Sequence, residues 1–168
     1  MPLNIKDLAI TSPQIAAGGR IPDTHAADHG NTAPELRIGG VPHGTVELAL
    51  IMHDPDAPLA NGFTHWVVYG IDPKATSPEE SAGFREGPNT LGEQAYSGPQ
   101  PPPGHGTHHY YFWLYALDTT VEGTPTREEF LATYAANIIE QNRLVGTYSV
   151  SPDPVTDDDV KVPQDALR

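Results

Sequence analysis

The feature that most constrains this chain is one unbroken apolar run, Tyr110-Tyr111-Phe112-Trp113-Leu114-Tyr115-Ala116-Leu117. Read as a strand, it is apolar on both faces. A strand of that kind needs cover on both sides and belongs inside a sheet or between two layers. Two further segments read the same way. Val46 to Met52 is a largely buried strand stopped by Pro55 and Pro58, and His65 to Ile71 is rich in aromatic and β-branched residues. Gly146 to Val150 makes a shorter fourth.

Helices are fewer. Thr126 followed by Glu129 forms a capping box, and Phe130, Tyr134 and Ile138, with Leu131, Ala135 and Ile139 beside them, predict an apolar stripe over roughly four turns. Ser77-Pro78-Glu79-Glu80 predicts a short second helix with Pro at its first position. Glycine and proline, 16 and 18 of 168 residues, break the chain into short elements joined by ordered turns. The fold class is therefore mostly β, of the α+β kind, in one domain over residues 1–150. Residues 151–168, rich in Pro and Asp, read as an acidic tail.

Composition removes several functions. Nine basic against 22 acidic residues give a formal charge of −13, the wrong sign for nucleic acid or an anionic membrane surface. Without cysteine there are no disulfides, thiol nucleophiles or thiolate metal sites. No apolar run is long enough to span a membrane, so no integral membrane role is expected. The first ten residues show no secretory pattern, which makes the cytoplasm the expected compartment.

Polar groups gather where these strands begin or end. Asp54 follows the first strand on the face of Leu48, Leu50 and Met52, and His108 and Tyr110 share the face of Phe112 and Leu114. By the same alternation His65 falls on the face of Val67, Tyr69 and Ile71. A histidine at a strand end is commonly a hydrogen-bonded surface residue, and Asp before Pro is commonly a turn former. The coincidence at three strands, one flanked by the Gly/Pro-rich stretch from Gly83 to Gly106, points to a convergent site. A loop that long in a small domain is usually functional or disordered.

The blocks Asp54-Pro55-Asp56-Ala57-Pro58, His65-Trp66-Val67-Val68 and Gly98-Pro99-Gln100-Pro101-Pro102-Pro103-Gly104-His105-Gly106-Thr107-His108-His109-Tyr110 resemble the phosphatidylethanolamine-binding, or Raf kinase inhibitor-like, family in its bacterial branch. Thr11-Ser12-Pro13, Gly30-Asn31-Thr32-Ala33-Pro34, Tyr115-Ala116-Leu117-Asp118 and Gly146-Thr147-Tyr148 extend the resemblance over nearly all of residues 5–150. It implies a large antiparallel sheet facing a smaller one, with peripheral helices. It also implies a small surface pocket for an anionic or phosphate-bearing ligand of the phospholipid head-group type. By position that pocket uses Asp54, His65, His108 and Tyr110, walled by Tyr96, Gly98, Pro99, Pro101 and His105. A role inhibiting a kinase or protease, and a homodimer, come with the family by analogy. His108-His109-Tyr110 replaces the usual His-Arg-Tyr, and His53 stands where acidic or aromatic residues are usual.

No Lys or Arg lies between Arg85 and Arg127. An anion there would be held by histidine N–H groups, the tyrosine hydroxyl and loop amides. With Asp54 favouring charged histidine, phosphate binding should strengthen as pH falls from about 8 to 6. The expectation is a binder, not an enzyme, with no cofactor and no metal. A metal-dependent enzyme using the His/Asp cluster ranks lower, because His-Glu-x-x-His and a water-activating carboxylate beside a ligand pair are missing. A scaffold with a vestigial pocket is the third reading.

Overall fold

The computed structural model describes residues 6–151 and shows two antiparallel sheets. Strands β1 (Ala9–Thr11) and β2 (Arg37–Gly39) pair as a small sheet. The large sheet holds β3 (Glu47–Asp54), β4 (Phe63–Ile71), β5 (Arg85–Gly87), β6 (His108–Leu117) and β7 (Ile138–Tyr148) in the order β5-β4-β3-β6-β7. One α-helix, α1 (Arg127–Tyr134), lies between β6 and β7 in sequence. Apart from Ser151, the acidic tail lies outside the described residues.

The central strand is β3, and all eight of its residues are buried. Leu48, Leu50 and Met52 face one cluster with Ile10, Ile38, Trp66, Val68, Phe112 and Leu114, which joins the small sheet to the large one. Ala49 and Ile51 face the other way, onto Val67, Tyr69, Tyr115 and Phe130 of α1. Each large side chain fully buried here contributes about 1.5–3 kcal/mol. Two layers packed on a shared central sheet are thus written into the alternation of β3 itself.

The apolar run of β6 does lie inside the sheet, between β3 and β7. Its cover is uneven. Tyr111 and Trp113 are half-buried and stack with centroids 6.0 Å apart. The Arg143 guanidinium of β7 lies over both rings, at 5.8 and 5.2 Å. A cation on aromatic faces covers what the helix does not reach.

The helix differs most from its sequence expectation. The capping box is present, with Glu129 N–H donating to Thr126 Oγ1 at 3.2 Å. The α-helix nonetheless stops at Tyr134 and gives way to a 3-10 turn over Ala135–Asn137. Ile138 and Ile139 open β7 instead, an eleven-residue strand in place of the short one expected from Gly146. The reason is pairing: β7 runs alongside all of β6, from Leu117↔Ile138 to His108↔Tyr148. A full ladder, with β-branched residues at its start, outweighs two more turns of helix. The Ser77–Glu80 signal yields a 3-10 turn, Pro78–Glu80, rather than an α-helix.

Candidate functional site

In the order β4-β3-β6 the end of β3 meets the beginnings of both neighbours, because each pair is antiparallel. Asp54 pairs with Phe63, and His53 with Tyr111. Asp54, His108 and Tyr110 are all buried at this junction.

His65 reaches the same place by a route that simple alternation misses. The register slips between Met52↔Trp66 and His53↔Thr64, which leaves His65 without a partner on β3. Such a bulge turns an extra side chain onto the face of its neighbour. Val67 and Tyr69 consequently pack on the helix side, while His65 sits with Tyr110 on the other. The expectation that His65 shares the face of Val67, Tyr69 and Ile71 is corrected for the first two by this irregularity, while Ile71, beyond a second slip between Leu48 and Leu50, does lie on the Tyr110 side.

Two hydrogen-bonded systems meet here. His108 Nδ1 donates to Asp54 Oδ2 at 2.7 Å, and Asp54 Oδ1 accepts the Asp56 N–H at 2.7 Å. His108 Nε2 lies 2.7 Å from Nδ1 of His105, so one proton is shared between those facing nitrogens. Separately, His65 Nδ1–H donates to the Ser97 carbonyl at 2.7 Å, and Ser97 N–H donates back to the His65 carbonyl at 3.0 Å. Burial pushes the His65 imidazole down to about 4, against the opposing pull of the Ser97 carbonyl and Asp54. His65 is therefore neutral at pH 7, with Nδ1 carrying the proton and Nε2 left as an acceptor. The Tyr110 ring meets His65 edge-on at 5.2 Å, and burial raises its hydroxyl well above the ordinary tyrosine range, so it stays an O–H.

A cavity of about 280 Å³ opens over these groups. Asp54, His65, Ser97, His108 and Tyr110 supply its polar side, and Gly98, Pro101 and Pro102 stand in its wall. Its mouth is apolar, with Phe63, Leu59 and Leu91; the two leucines are 52% and 60% exposed. Size alone does not select this cavity. A space of about 420 Å³ lies beyond Leu59, lined by Asn61, Asn89 and Arg127, but there Arg127 leans on Glu128 at 3.3 Å.

Of the residues expected from the sequence, Asp54, His65, Gly98, Pro101, His108 and Tyr110 line the cavity. Tyr96, Pro99 and His105 do not. Tyr96 stands behind the wall, donating its hydroxyl to the His25 carbonyl at 2.7 Å and meeting Trp66 edge-on. The Pro99 carbonyl accepts from Ala27 N–H at 3.0 Å, and His105 sits on His108. His109, in place of the usual arginine, still makes the local contact, with Nδ1 2.8 Å from Asp56 Oδ2.

The expected anion chemistry changes with this geometry. The His65 N–H and the amides of Ser97, Gly98, Gly104 and His105 are already committed within the protein. A cationic His65 is not available near neutral pH. Sequence reasoning also missed the leucine collar and the loop around Asn31 that grips the wall. Two leucines set in polar loops were the available signal for the collar; for the loop there was only the turn-forming Gly30-Asn31.

The family model described as Phosphatidylethanolamine-binding protein matches residues 11–149. A UPF0098 protein of Pyrococcus abyssi is 39% identical over 139 residues, 76% of this chain and 78% of that one. A Mycobacterium tuberculosis protein named "Putative lipoprotein LppC" is 40% identical over 146 residues, 84% of this chain and 72% of its own length. Among solved structures, Escherichia coli YbcL, titled a new member of the mammalian PEBP family, superposes with a TM-score of 0.80 at 29% identity. That match covers 87% of this chain and all of YbcL.

Proposed function

The chain belongs to the phosphatidylethanolamine-binding protein family, and from that premise we propose that it binds, without transforming it, a small ligand bearing a singly protonated phosphate group. The observation that carries this reading is the His65–Tyr110 pair. One cavity is lined by His65, whose Nε2 is left as an acceptor, and by Tyr110, whose hydroxyl is a donor, and their ring centroids lie 5.2 Å apart. A phosphate monoester monoanion has both an O–H to give and oxygens to receive. A dianion lacks the O–H, and no lysine or arginine lines the cavity to hold it by charge.

The leucine collar fits an apolar group attached to that phosphate. Asp54 serves to orient His108, whose ring donates to Oδ2, while Oδ1 accepts the Asp56 N–H. The metal-enzyme reading ranks lower on geometry. The facing nitrogens of His105 and His108 are committed to each other through the proton between them, and among the described residues no group of three or more ligating side chains converges on a point. In this account any inhibition of a kinase or protease runs through the occupied cavity.

Calorimetric titration with phosphoethanolamine, a monoester whose second phosphate proton leaves near pH 6, tests the reading. Affinity is expected to fall by about one to two orders of magnitude from pH 6 to pH 8, following the monoanion. Affinity that rises with pH contradicts it. The cytoplasm is retained as the compartment; the name of the mycobacterial relative favours a lipid-anchored form instead, and fractionation of native cells decides between them.

A further inference from the structure

A single peptide group, the one joining Ser97 to Gly98, is gripped from both ends. Its carbonyl accepts the His65 Nδ1–H at 2.7 Å, and its N–H donates to Oδ1 of Asn31 at 2.8 Å. The peptide is planar, so these two bonds are not independent. Whatever turns the N–H also turns the carbonyl that faces His65.

Asn31 is built for this position. It has φ +48°, the one positive φ outside glycine among the described residues, and asparagine tolerates that region better than most side chains. Its own N–H is tied to the Ala26 carbonyl at 3.0 Å, and His25 Nδ1 donates to the Thr32 carbonyl at 2.7 Å. The wall is then clamped onto this loop at three further points. Ala27 N–H meets the Pro99 carbonyl at 3.0 Å, Gln100 Nε2 meets Asp28 Oδ1 at 2.7 Å, and the Tyr96 hydroxyl meets the His25 carbonyl at 2.7 Å. The approach is so close that a Cβ on Gly98 would overlap the His25 carbonyl oxygen. Backbone held away from ordinary φ by several converging bonds is a mark of functional positioning.

We propose that Asn31 is a positioning residue for the cavity: through the Ser97–Gly98 peptide it holds His65 in the Nδ1–H tautomer and so keeps Nε2 as the acceptor offered to the ligand. This rests on the reading of the cavity as a phosphate-binding site. Without Oδ1 the plane is free to turn its N–H toward His65. His65 Nδ1 would then face a donor, the proton would move to Nε2, and the cavity would lose its acceptor. Hydrogen bonds on the two ends of one peptide also polarise each other, which couples the contacts further.

The test uses the full chain labelled uniformly with ¹⁵N, read at pH 7 by long-range ¹H–¹⁵N correlation of the histidine rings and by amide correlation of Gly98, beside calorimetry with phosphoethanolamine. Asn31→Gly permits the same φ but lacks the acceptor; Asn31→Asp restores an acceptor. The glycine variant is expected to lose the Nδ1–H signature of His65 and to bind at least about tenfold more weakly. The aspartate variant should recover both and move the Gly98 amide proton downfield, because its acceptor is charged. A glycine variant with the wild-type tautomer overturns the proposal, as does an unmoved Gly98 amide in the aspartate variant. If wild type binds no phosphoethanolamine, the binding reading fails while the tautomer signal still decides this one.

Discussion

Asp54 and His108 face each other at 2.7 Å where β3 ends and β6 begins, with only 3% and 4% of their side chains exposed. The contact closes two strands that are 54 residues apart in sequence. It also determines what His108 has left to offer: with Nδ1 on Asp54 and Nε2 on His105, this ring is a strut of the cavity more than a hand within it.

Asp54→Asn should therefore act on stability first. It removes the charged acceptor of a buried hydrogen bond, and a loss of about 1–3 kcal/mol is expected from urea denaturation at pH 7. Phosphoethanolamine binding should weaken with it, because Tyr110 and His108 share a strand. A variant as stable as wild type would show that the pair does not brace the junction.

Stability should also fall with acid. Burial lowers both His65 and His53 to about 4 from an ordinary 6.5, with Arg127 adding to the effect at His53. Between those values the unfolded chain takes up protons that the folded chain refuses, so the contribution of these two groups to stability rises with pH there and is constant outside. Each group contributes about 1.4 kcal/mol per pH unit across that window. His53→Gln should flatten the slope of unfolding free energy between pH 6.5 and 4 by that amount. An unchanged slope would mean that His53 titrates normally in the folded protein.

Much of this was legible in the sequence, and what was not has identifiable causes. The alternation of β3 gives both layers, and the strand ends at Asp54 and His108 give the site. Alternation alone puts His65 on the face of Val67 and Tyr69, because a bulge leaves no trace in a period-two pattern. The end of α1 is hidden in the sequence because Phe130, Tyr134 and Ile138 keep helical spacing, while the competing β6 ladder lies elsewhere in the chain. The resemblance puts Tyr96 and His105 in the cavity wall, whereas Tyr96 is tied to the His25 carbonyl and the exposed His105 to His108, and neither lines the cavity.

Gly98→Ala should damage the wall from within. The added methyl has no room beside the His25 carbonyl, so the strap of residues 25–31 and the wall must part. A loss of about 1–3 kcal/mol is expected, as for overpacking elsewhere, together with loss of phosphoethanolamine binding. A crystal structure of the variant with the wall unmoved would refute the close-approach argument.

The collar makes a separate prediction. Leu59 and Leu91 are exposed, so replacing both by Ser should leave stability within about 0.5 kcal/mol. Hexyl phosphate should bind wild type more tightly than phosphoethanolamine, by up to about 0.8 kcal/mol for each methylene covered. The double variant should lose that preference while keeping its affinity for phosphoethanolamine. Equal preference in both proteins would detach the collar from the ligand.

The most direct measurement is a crystal structure grown at pH 6 with phosphoethanolamine. The phosphorus is expected in the cavity between β3, β4 and β6, with one oxygen within hydrogen-bond distance of His65 Nε2 and another of the Tyr110 hydroxyl. A phosphate held elsewhere on the protein, with only water beside His65 and Tyr110, would contradict the account.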